Sequence, residues 1–363
     1  MSAMAVKHDA INLSQGFPDF KSDPKLSALV AKSMTDGYNQ YAPMAGDIKL
    51  REVICDKVQR LYDANYNAAT DIVITAGATQ AIFTAIAATI SKGDEVIIFT
   101  PAYDCYAPTI HLFGGNVIEL QLASPHYTPD WDEVKKVITS KTKMIIVNSP
   151  HNPSGMVFSE DDMLQLQHIS EANDLIVISD EVYEHIIFDG EIHQSAARFL
   201  TLAKRTFIVA SFGKTFHNTG WKMGYCIGPE SLMKEFKKVH QYNVFSVNHP
   251  FQKGLAEYLQ DENHYLHLGA FYQQKRDLFL DLIKDSRFKI IPSKGTYFQL
   301  LDFSEISNES DMVFAERLTK QNKLATIPIS VFNKNKMDEK QIRVCFAKRE
   351  ETLKAAAAIL KSL

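Results

Sequence analysis

The period of the hydrophobic pattern changes back and forth along the first 250 residues. Short, nearly continuous apolar runs rich in β-branched residues alternate with stretches in which apolar residues follow helical spacing. Such runs are typical of strands that are buried on both faces of a sheet. The predicted strands cover residues 72–74, 95–99, 116–122, 143–148, 175–179 and 206–210. This order predicts an α/β fold with a mostly parallel sheet covered by helices.

Helices are predicted between these strands, and the pattern changes after residue 250. Ser159 and Asp162 have the spacing of a capping box, and residues 1–9 show little local structure. The predicted helices cover residues 25–34, 47–62, 77–91, 106–113, 130–139 and 159–173. Beyond residue 250 we predict a helical region at 251–285, strands at 288–291, 297–301 and 342–346, a helix at 311–322 and a terminal helix. We therefore expect a large domain at residues 23–255, and a smaller α+β unit formed by an N-terminal arm, residues 1–22, together with residues 256–363.

Composition excludes several classes of protein. The chain has 363 residues, enough for two domains, and its formal net charge of −4 gives no reason to expect nucleic acid as a partner. Its four cysteines form no Cys-x-x-Cys pair, which indicates reduced thiols. No apolar run reaches the roughly 18 residues that span a bilayer, and the first residues lack the layout of a signal peptide. We expect a cytoplasmic protein without a membrane partner.

Polar residues follow the ends of several predicted strands. In an open parallel sheet these ends meet at one edge, where ligands bind. Each group has an ordinary explanation by itself, as a helix start, a turn, a cap or a solvated loop lysine. Together they offer phosphate donors, a ring for stacking, an amide, a carboxylate, a phenol and an amine, which suits a planar phosphorylated aldehyde. They are Gly77, Ala78, Thr79, Tyr103, Asn152, Asp180, Tyr183, Ser211 and Lys214.

The longer motifs of this set carry a resemblance to a known family. They are Ser211-x-x-Lys214-x-x-x-x-x-Gly220-Trp221-Lys222, Asn152-Pro153-x-Gly155 and Asp180-Glu181-Val182-Tyr183. The chain resembles, almost from end to end, the class I and II aminotransferases of fold type I, which use pyridoxal 5′-phosphate (PLP). Residues 12–20, 39–41 and 342–346 are similar to the methionine and kynurenine/glutamine aminotransferase branch of that family.

The resemblance implies a role for each residue around PLP. Lys214 would bind the cofactor covalently and move the substrate proton, and Asp180 would face the pyridine nitrogen. Asn152 and Tyr183 would hydrogen-bond the 3′ oxygen, and Tyr103 would stack on the ring. The phosphate would be held by Ala78, Thr79, Ser211, Lys222 and, from the partner subunit of a homodimer, Tyr41.

The resemblance also implies how substrates bind. Arg343 would bind the α-carboxylate through its two-pronged guanidinium, assisted by Asn152 and the backbone of Gly16. The enzyme would move an amino group from an amino acid, methionine or an aromatic one preferred, to a 2-oxo acid in two half-reactions. Phe245 has two open interpretations, as part of the side-chain pocket or of the core.

Other functions remain open on the same residues. A cysteine S-conjugate β-lyase or a kynurenine aminotransferase would use the same fold and cofactor. A PLP-binding sensor in a transcription regulator would require a basic helix-turn-helix extension before this region, whereas Met1 leads directly into it. No metal site is expected, and His185 is interpreted as structural.

Overall fold

A computed structural model describes residues 1–333 and 335–363 of the chain. The strands are β1 Ile11–Asn12, β2 Ile72–Thr75, β3 Glu95–Thr100, β4 Asn116–Gln121, β5 Thr142–Asn148, β6 Ile176–Asp180, β7 Thr206–Ser211, β8 Gly224–Ile227, β9 Phe298–Asp302, β10 Leu324–Ala325, β11 Ile327–Pro328 and β12 Gln341–Cys345. The helices are α1 Ser2–Lys7, α2 Pro24–Thr35, α3 Ile48–Tyr62, α4 Ala78–Thr89, α5 Tyr106–Leu112, α6 Trp131–Val137, α7 Glu160–Ala172, α8 Leu200–Ala203, α9 Phe212–Thr215, α10 Glu230–Asn243, α11 His249–Tyr258, α12 Asn263–Leu266, α13 Leu268–Ile283, α14 Asp311–Lys320 and α15 Glu350–Lys361. Short 3₁₀ turns lie at Ala196–Arg198, Thr219–Trp221 and Ile329–Phe332.

The largest sheet has seven strands in the order β2-β8-β7-β6-β5-β3-β4. Neighbouring strands are parallel from β7 through to β4, and β8 is antiparallel to both β7 and β2. The prediction of a mostly parallel α/β sheet is confirmed. Because β2 and β7 both oppose β8, they run in the same direction, and their carboxyl ends lie at the same edge as those of β3, β5 and β6.

The sheet separates two hydrophobic clusters, as expected when successive side chains of a strand point to opposite faces. Ile72 and Ile74 belong to one cluster, while Val73 between them belongs to the other. In β5, Ile145 and Ile146 divide in the same way. Burial on both faces explains why these strands are continuous apolar runs instead of alternating ones.

The N-terminal residues differ from the prediction. Residues 1–9 were expected to have little structure, but Ser2–Lys7 forms helix α1, which packs against α14 and β10. The following strand β1 pairs in parallel with β10, joining Ile11 to Leu324. Six residues are too few to show a helical period, so this helix is stabilised by tertiary packing.

The second half of the chain forms a smaller sheet with the order β11-β12-β9, in which all neighbours are antiparallel. Helix α14 packs on β11 and β12, and α13 packs against α15. The helical region predicted at 251–285 is divided into α11, α12 and α13. The strand predicted at 288–291 is wrong, because only an isolated bridge joins Lys289 to Asp302.

The boundary predicted after residue 255 falls within α11, which packs against α2 and α3. The division into domains stays a prediction. Within the described ranges, no helix has both the length and the apolar character needed to cross a membrane.

Candidate active site

A cavity of about 580 Å³ lies where the carboxyl ends of β2, β5, β6 and β7 meet the second half of the chain. Most of the side chains predicted to act together line it, namely Gly16, Ala78, Thr79, Tyr103, Asn152, Asp180, Tyr183, Ser211, Lys214, Lys222 and Arg343. The sequence therefore identified a set of residues that the fold brings to one place. Tyr41 is the predicted site residue that does not line this cavity.

Lys214 lies in the short helix α9, directly after β7. Its side-chain Nζ donates to the carbonyl oxygen of Gly16 at 3.2 Å and to the hydroxyl of Tyr297 at 3.0 Å. Burial, together with the positive charges of Arg343 and Lys222, lowers the pKa of this amine to about 8. The amine is therefore much easier to deprotonate than an ordinary lysine, which is what a nucleophilic amine requires.

Asp180 is the last residue of β6, and its side chain is buried. Oδ2 accepts a hydrogen bond from the hydroxyl of Tyr106 at 2.5 Å, and Oδ1 accepts one from the backbone N–H of Val182 at 3.4 Å. Burial raises the pKa of Asp180 to about 6, although both hydrogen bonds and the charge of Lys214 oppose that rise. Such a carboxylate suits a cationic partner placed in the cavity.

The N-terminus of α4 opens into the same cavity. Its first residues, Ala78 and Thr79, follow Gly77, which has a φ of +79° and provides no side-chain cap. A Cβ added to Gly77 would lie 3.5 Å from the Nζ of Lys222, so the ammonium group lies beside the helix end. Free backbone N–H groups, a helix dipole, a lysine and the nearby Ser211 together form a cradle for an anion.

Arg343 projects from β12 and is buried. Nη1 donates to Oδ1 of Asn152 at 2.6 Å, and Nη2 donates to the carbonyl oxygen of Ser14 at 3.0 Å. The guanidinium carbon lies 3.9 Å from the ring centre of Phe298 and 5.0 Å from that of Phe332. Its Nε is buried and has no partner among the described residues. The guanidinium therefore lies close to two aromatic rings and retains N–H donors for a carboxylate.

The ends of β5 and β6 are tied together by amide hydrogen bonds. The backbone N–H of Asn152 donates to Oδ1 of Asn148 at 2.8 Å, and Nδ2 of Asn148 donates to the carbonyl oxygen of Asp180 at 2.9 Å. Asn148 therefore fixes the position of Asn152 relative to Asp180.

Aromatic residues form much of the remaining wall. The Tyr183 ring packs edge-on against Tyr297 and Phe298, with ring centres 5.2 and 6.0 Å apart. Burial raises the pKa of the Tyr183 phenol far above its ordinary range, so this group stays protonated and can donate a hydrogen bond. The Tyr103 hydroxyl lies 3.3 Å from Oγ1 of Thr79, which joins the predicted stacking residue to the helix end.

Tyr41 and Phe245 do not line the cavity. Tyr41 is 80% exposed and Phe245 is 46% exposed, and their rings meet edge-on with centres 5.4 Å apart. Neither interpretation of Phe245, as pocket or as core, holds within one chain. The two rings form part of an exposed aromatic surface.

His185 is buried beside Glu184, with 3.5 Å between Nε2 and a carboxylate oxygen. Burial lowers the pKa of His185 to about 3, so its ring is neutral. Within the described part of the chain, no group of three or more His, Cys, Asp or Glu side chains has an arrangement that could hold a metal ion.

Several lining or supporting residues were not predicted from the sequence. Tyr106 supports Asp180, Tyr297 supports Lys214, and Phe298 and Phe332 enclose Arg343. Tyr106 follows Tyr103 at a helical spacing of three, and this spacing could have identified Tyr106 as a second residue near the site. The others come from the second half of the chain, and only the packing of that half onto the sheet reveals them.

Comparison with known proteins agrees with this geometry. A family model for aminotransferase class I and II matches residues 8–360. The chain belongs to this family. The aminotransferase is 48% identical to methionine aminotransferase of Escherichia coli over 364 residues, which cover 100% of this chain and 94% of that relative. It is 33% identical to a kynurenine–oxoglutarate transaminase of Dictyostelium discoideum, with coverage of 98% and 91%.

Solved structures show the same relationship. The aminotransferase superposes on the crystal structure of an Escherichia coli methionine aminotransferase with a TM-score of 0.98 and 47% identity, covering 100% of this chain and 96% of that chain. The protein is thus an aminotransferase of fold type I, which acts on amino acids and 2-oxo acids.

Proposed function

We propose that this aminotransferase binds PLP in the 580 Å³ cavity and uses it to transfer amino groups from methionine and related apolar amino acids. The observation that carries the proposal is the convergence of three features on one cavity. They are an amine with a lowered pKa on Lys214, a buried carboxylate on Asp180 and the uncapped start of α4 beside Lys222. These fit an aldehyde, a ring nitrogen that carries a proton and a phosphate, which are three of the polar groups of PLP.

Each residue has a distinct task in the proposal. The backbone of Ala78 and Thr79, Ser211 and Lys222 hold the phosphate, and Tyr103 covers the ring. Asn152 and Tyr183 donate hydrogen bonds to the ring oxygen. Bound PLP supplies an aldehyde carbon and a ring that withdraws electrons from the substrate Cα.

Lys214 is the proton carrier of the reaction. Its neutral amine accepts the proton from the substrate Cα and returns a proton in the second half-reaction. The Tyr297 hydroxyl and the carbonyl oxygen of Gly16 hold Nζ in place at 3.0 and 3.2 Å. Because both half-reactions use the same amine, donor and acceptor substrates must bind in the same position.

Arg343 selects a feature that all donors and acceptors share. Its guanidinium binds the α-carboxylate while Asn152 and the carbonyl oxygen of Ser14 fix its orientation. The rest of the substrate space is bordered by apolar side chains, including Phe17, Phe298, Ile327, Val331 and Phe332.

The charges in the cavity favour substrates with a single carboxylate. Among the described lining residues the cations are Lys214, Lys222 and Arg343, which already have partners in the proposal. The acidic residue Asp104 also lines the cavity. A second carboxylate on the substrate would find apolar rings or a like charge. This, together with the 48% identity to the Escherichia coli methionine aminotransferase, supports methionine and aromatic amino acids as donors.

We propose that the active unit is a homodimer in the cytoplasm. Tyr38, Tyr41, Tyr242 and Phe245 expose between 39% and 85% of their surface, and an aromatic surface of this kind suits a second copy of the chain. In the dimer Tyr41 would contact the phosphate bound by the partner subunit. All four cysteines are free, as in reducing compartments.

A visible absorbance spectrum tests the proposal. Protein supplied with PLP is expected to show an absorbance band that methionine bleaches, and Lys214→Ala is expected to lose it. A panel of donors with a 2-oxo acid acceptor then ranks methionine against aromatic amino acids, kynurenine and glutamate. Release of pyruvate and ammonia from a cysteine S-conjugate, without any amino transfer, would instead identify a lyase.

A further inference from the structure

Tyr106 is buried at the first turn of α5 and points its hydroxyl at the site. The hydroxyl donates to Oδ2 of Asp180 at 2.5 Å, within the range of short bonds to an ionised oxygen. The backbone N–H of Val182 is the other described donor to this carboxylate, at 3.4 Å. Tyr106 is therefore the strong hydrogen-bond partner of Asp180.

Tyr103 and Tyr106 are three positions apart in the sequence, and their hydroxyls face different partners. The Tyr103 hydroxyl lies 3.3 Å from Thr79, whereas that of Tyr106 contacts Asp180. Their rings meet edge-on with centres 5.8 Å apart. Tyr103 lines the cavity and Tyr106 does not, so the hydroxyl of Tyr106 acts on the cavity through the carboxylate that it contacts.

The carboxylate needs this support because its surroundings oppose a charge. Asp180 is buried, and an isolated buried carboxylate takes up a proton. A protonated Asp180 would no longer favour a proton on the ring nitrogen of a cofactor. A hydrogen bond donated to the anion favours the anionic form.

We propose that Tyr106 is a positioning residue that keeps Asp180 anionic and aimed at the ring nitrogen of the cofactor. The inference rests on the proposed function, since it assigns the cationic partner of Asp180 to bound PLP. If the inference is right, Tyr106 strengthens the binding of ligands that carry a ring nitrogen and has little effect on ligands that lack one.

The test compares two ligands that differ at one atom. Full-length wild-type protein and Tyr106→Phe are freed of cofactor and titrated with PLP and with its 1-deaza analogue, in which a C–H group replaces the ring nitrogen. The readout is the dissociation constant, not activity. Loss of one charge-assisted hydrogen bond is expected to raise the PLP constant about ten-fold and the deaza constant less than about two-fold.

The control variant is Tyr66→Phe, which removes a buried hydroxyl without a partner among the described residues. It is expected to leave both constants unchanged. An equal rise of both constants in Tyr106→Phe, or no change in either, would overturn the inference and assign Tyr106 a packing role. Absence of PLP binding by the wild type would instead refute the proposed function.

A second variant covers the case in which Tyr106→Phe does not fold. Replacing Tyr106 with 3-fluorotyrosine keeps the ring and makes the hydroxyl a stronger donor. The preference for PLP over the deaza analogue is then expected to increase. An unchanged or smaller preference would also contradict the inference.

Discussion

Lys214 and Asp180 both have pKa values moved towards neutrality by burial, in opposite senses. The lysine is more easily deprotonated than usual and the aspartate more easily protonated. In both cases burial destabilises the charged form of the side chain, and the shifted pKa is the result. The two shifts therefore suit a site in which both side chains interact with a bound polar ligand.

The first prediction concerns the pH dependence of Lys214. Its amine loses its proton near pH 8, whereas the pKa of exposed Lys136 is raised by its contact with Glu133. Reductive labelling of the cofactor-free protein with a small uncharged aldehyde is therefore expected to reach half of its maximal rate near pH 8 at Lys214, and at higher pH at Lys136. Peptide mass spectrometry measures both sites in one sample. Parallel pH profiles would contradict the lowered pKa.

The second prediction concerns the effect of Asp104 on the preference of the enzyme for methionine over glutamate. Replacing this aspartate with asparagine removes about 1 kcal/mol of repulsion towards a second substrate carboxylate. Asp104→Asn is expected to increase kcat/KM for glutamate about five-fold relative to that for methionine. Asp161→Asn, an exposed position on α7 outside the cavity, is the matched control. If the ratio is the same in both variants, Asp104 does not select against acidic substrates.

At the scale of elements, the start of α4 requires a residue with positive φ, and we propose that the same position helps to bind the phosphate. Gly77 has a φ of +79° and Gly93 a φ of +95°, so alanine at either position costs about 1 kcal/mol of stability. Only at Gly77 does the added Cβ approach Lys222, at 3.5 Å, while nothing lies within 4 Å at Gly93. Gly77→Ala is expected to weaken PLP binding and Gly93→Ala is not. Titration with PLP and urea denaturation of both variants separate the two effects.

The loop after β6 is anchored by a buried ion pair behind the cavity. Nζ of Lys57 lies 2.5 Å from Oε1 of Glu184, and the hydroxyls of Tyr62 and Tyr225 donate to the same carboxylate at 2.7 and 3.1 Å. Burial alone would raise the pKa of Glu184, but Lys57, His185 and these hydrogen bonds hold it well below its usual range. The pair fixes the residue next to Tyr183.

Removal of either Lys57 or Glu184 leaves the other side chain as a buried charge without its ion-pair partner. Lys57→Met or Glu184→Leu alone is expected to lower the free energy of unfolding by about 3–5 kcal/mol, whereas the double variant loses much less than the sum. Urea denaturation of the four proteins of this cycle measures the coupling. Additive losses would show that the two side chains do not stabilise each other.

Sequence pattern was most informative where local and tertiary requirements agree. The β-branched strands of the large sheet are buried on both faces, so their apolar runs predicted them. Helix α1 was missed because six residues carry no measurable period. Strand β8 was missed because its four residues contain a single β-branched side chain, unlike the other strands of the sheet. The lining residues Phe298 and Phe332 were missed for another reason. Their place depends on how the second half of the chain packs on the sheet edge, which no local pattern contains.

At the scale of the whole molecule, the cavity is built from both ends of the chain. Residues of the N-terminal segment are bound by the C-terminal part, through Arg343 to the carbonyl oxygen of Ser14 and through Lys348 to that of Phe17, at 3.0 and 2.8 Å. In the dimer that we propose, the exposed rings of Tyr41 and Phe245 would extend this arrangement beyond one chain. In the proposed dimer a complete site contains the Lys214 of one subunit and Tyr41 from the other.

This arrangement predicts complementation between two inactive chains. In a mixed dimer of Lys214→Ala and Tyr41→Ala chains, the site of the second chain keeps its own Lys214 and receives an intact Tyr41 from its partner. Co-expressed chains with different affinity tags are therefore expected to be more active as purified mixed dimers than either parent dimer. A mixed dimer of Lys214→Ala and Asp180→Ala chains is the control, since both changes lie in the cavity of their own chain and no intact site forms. Equal activity of the two mixed dimers would show that Tyr41 serves the site of its own chain, since the Tyr41→Ala chain would then lack it. A Tyr41→Ala parent dimer with full activity would show that Tyr41 serves no site.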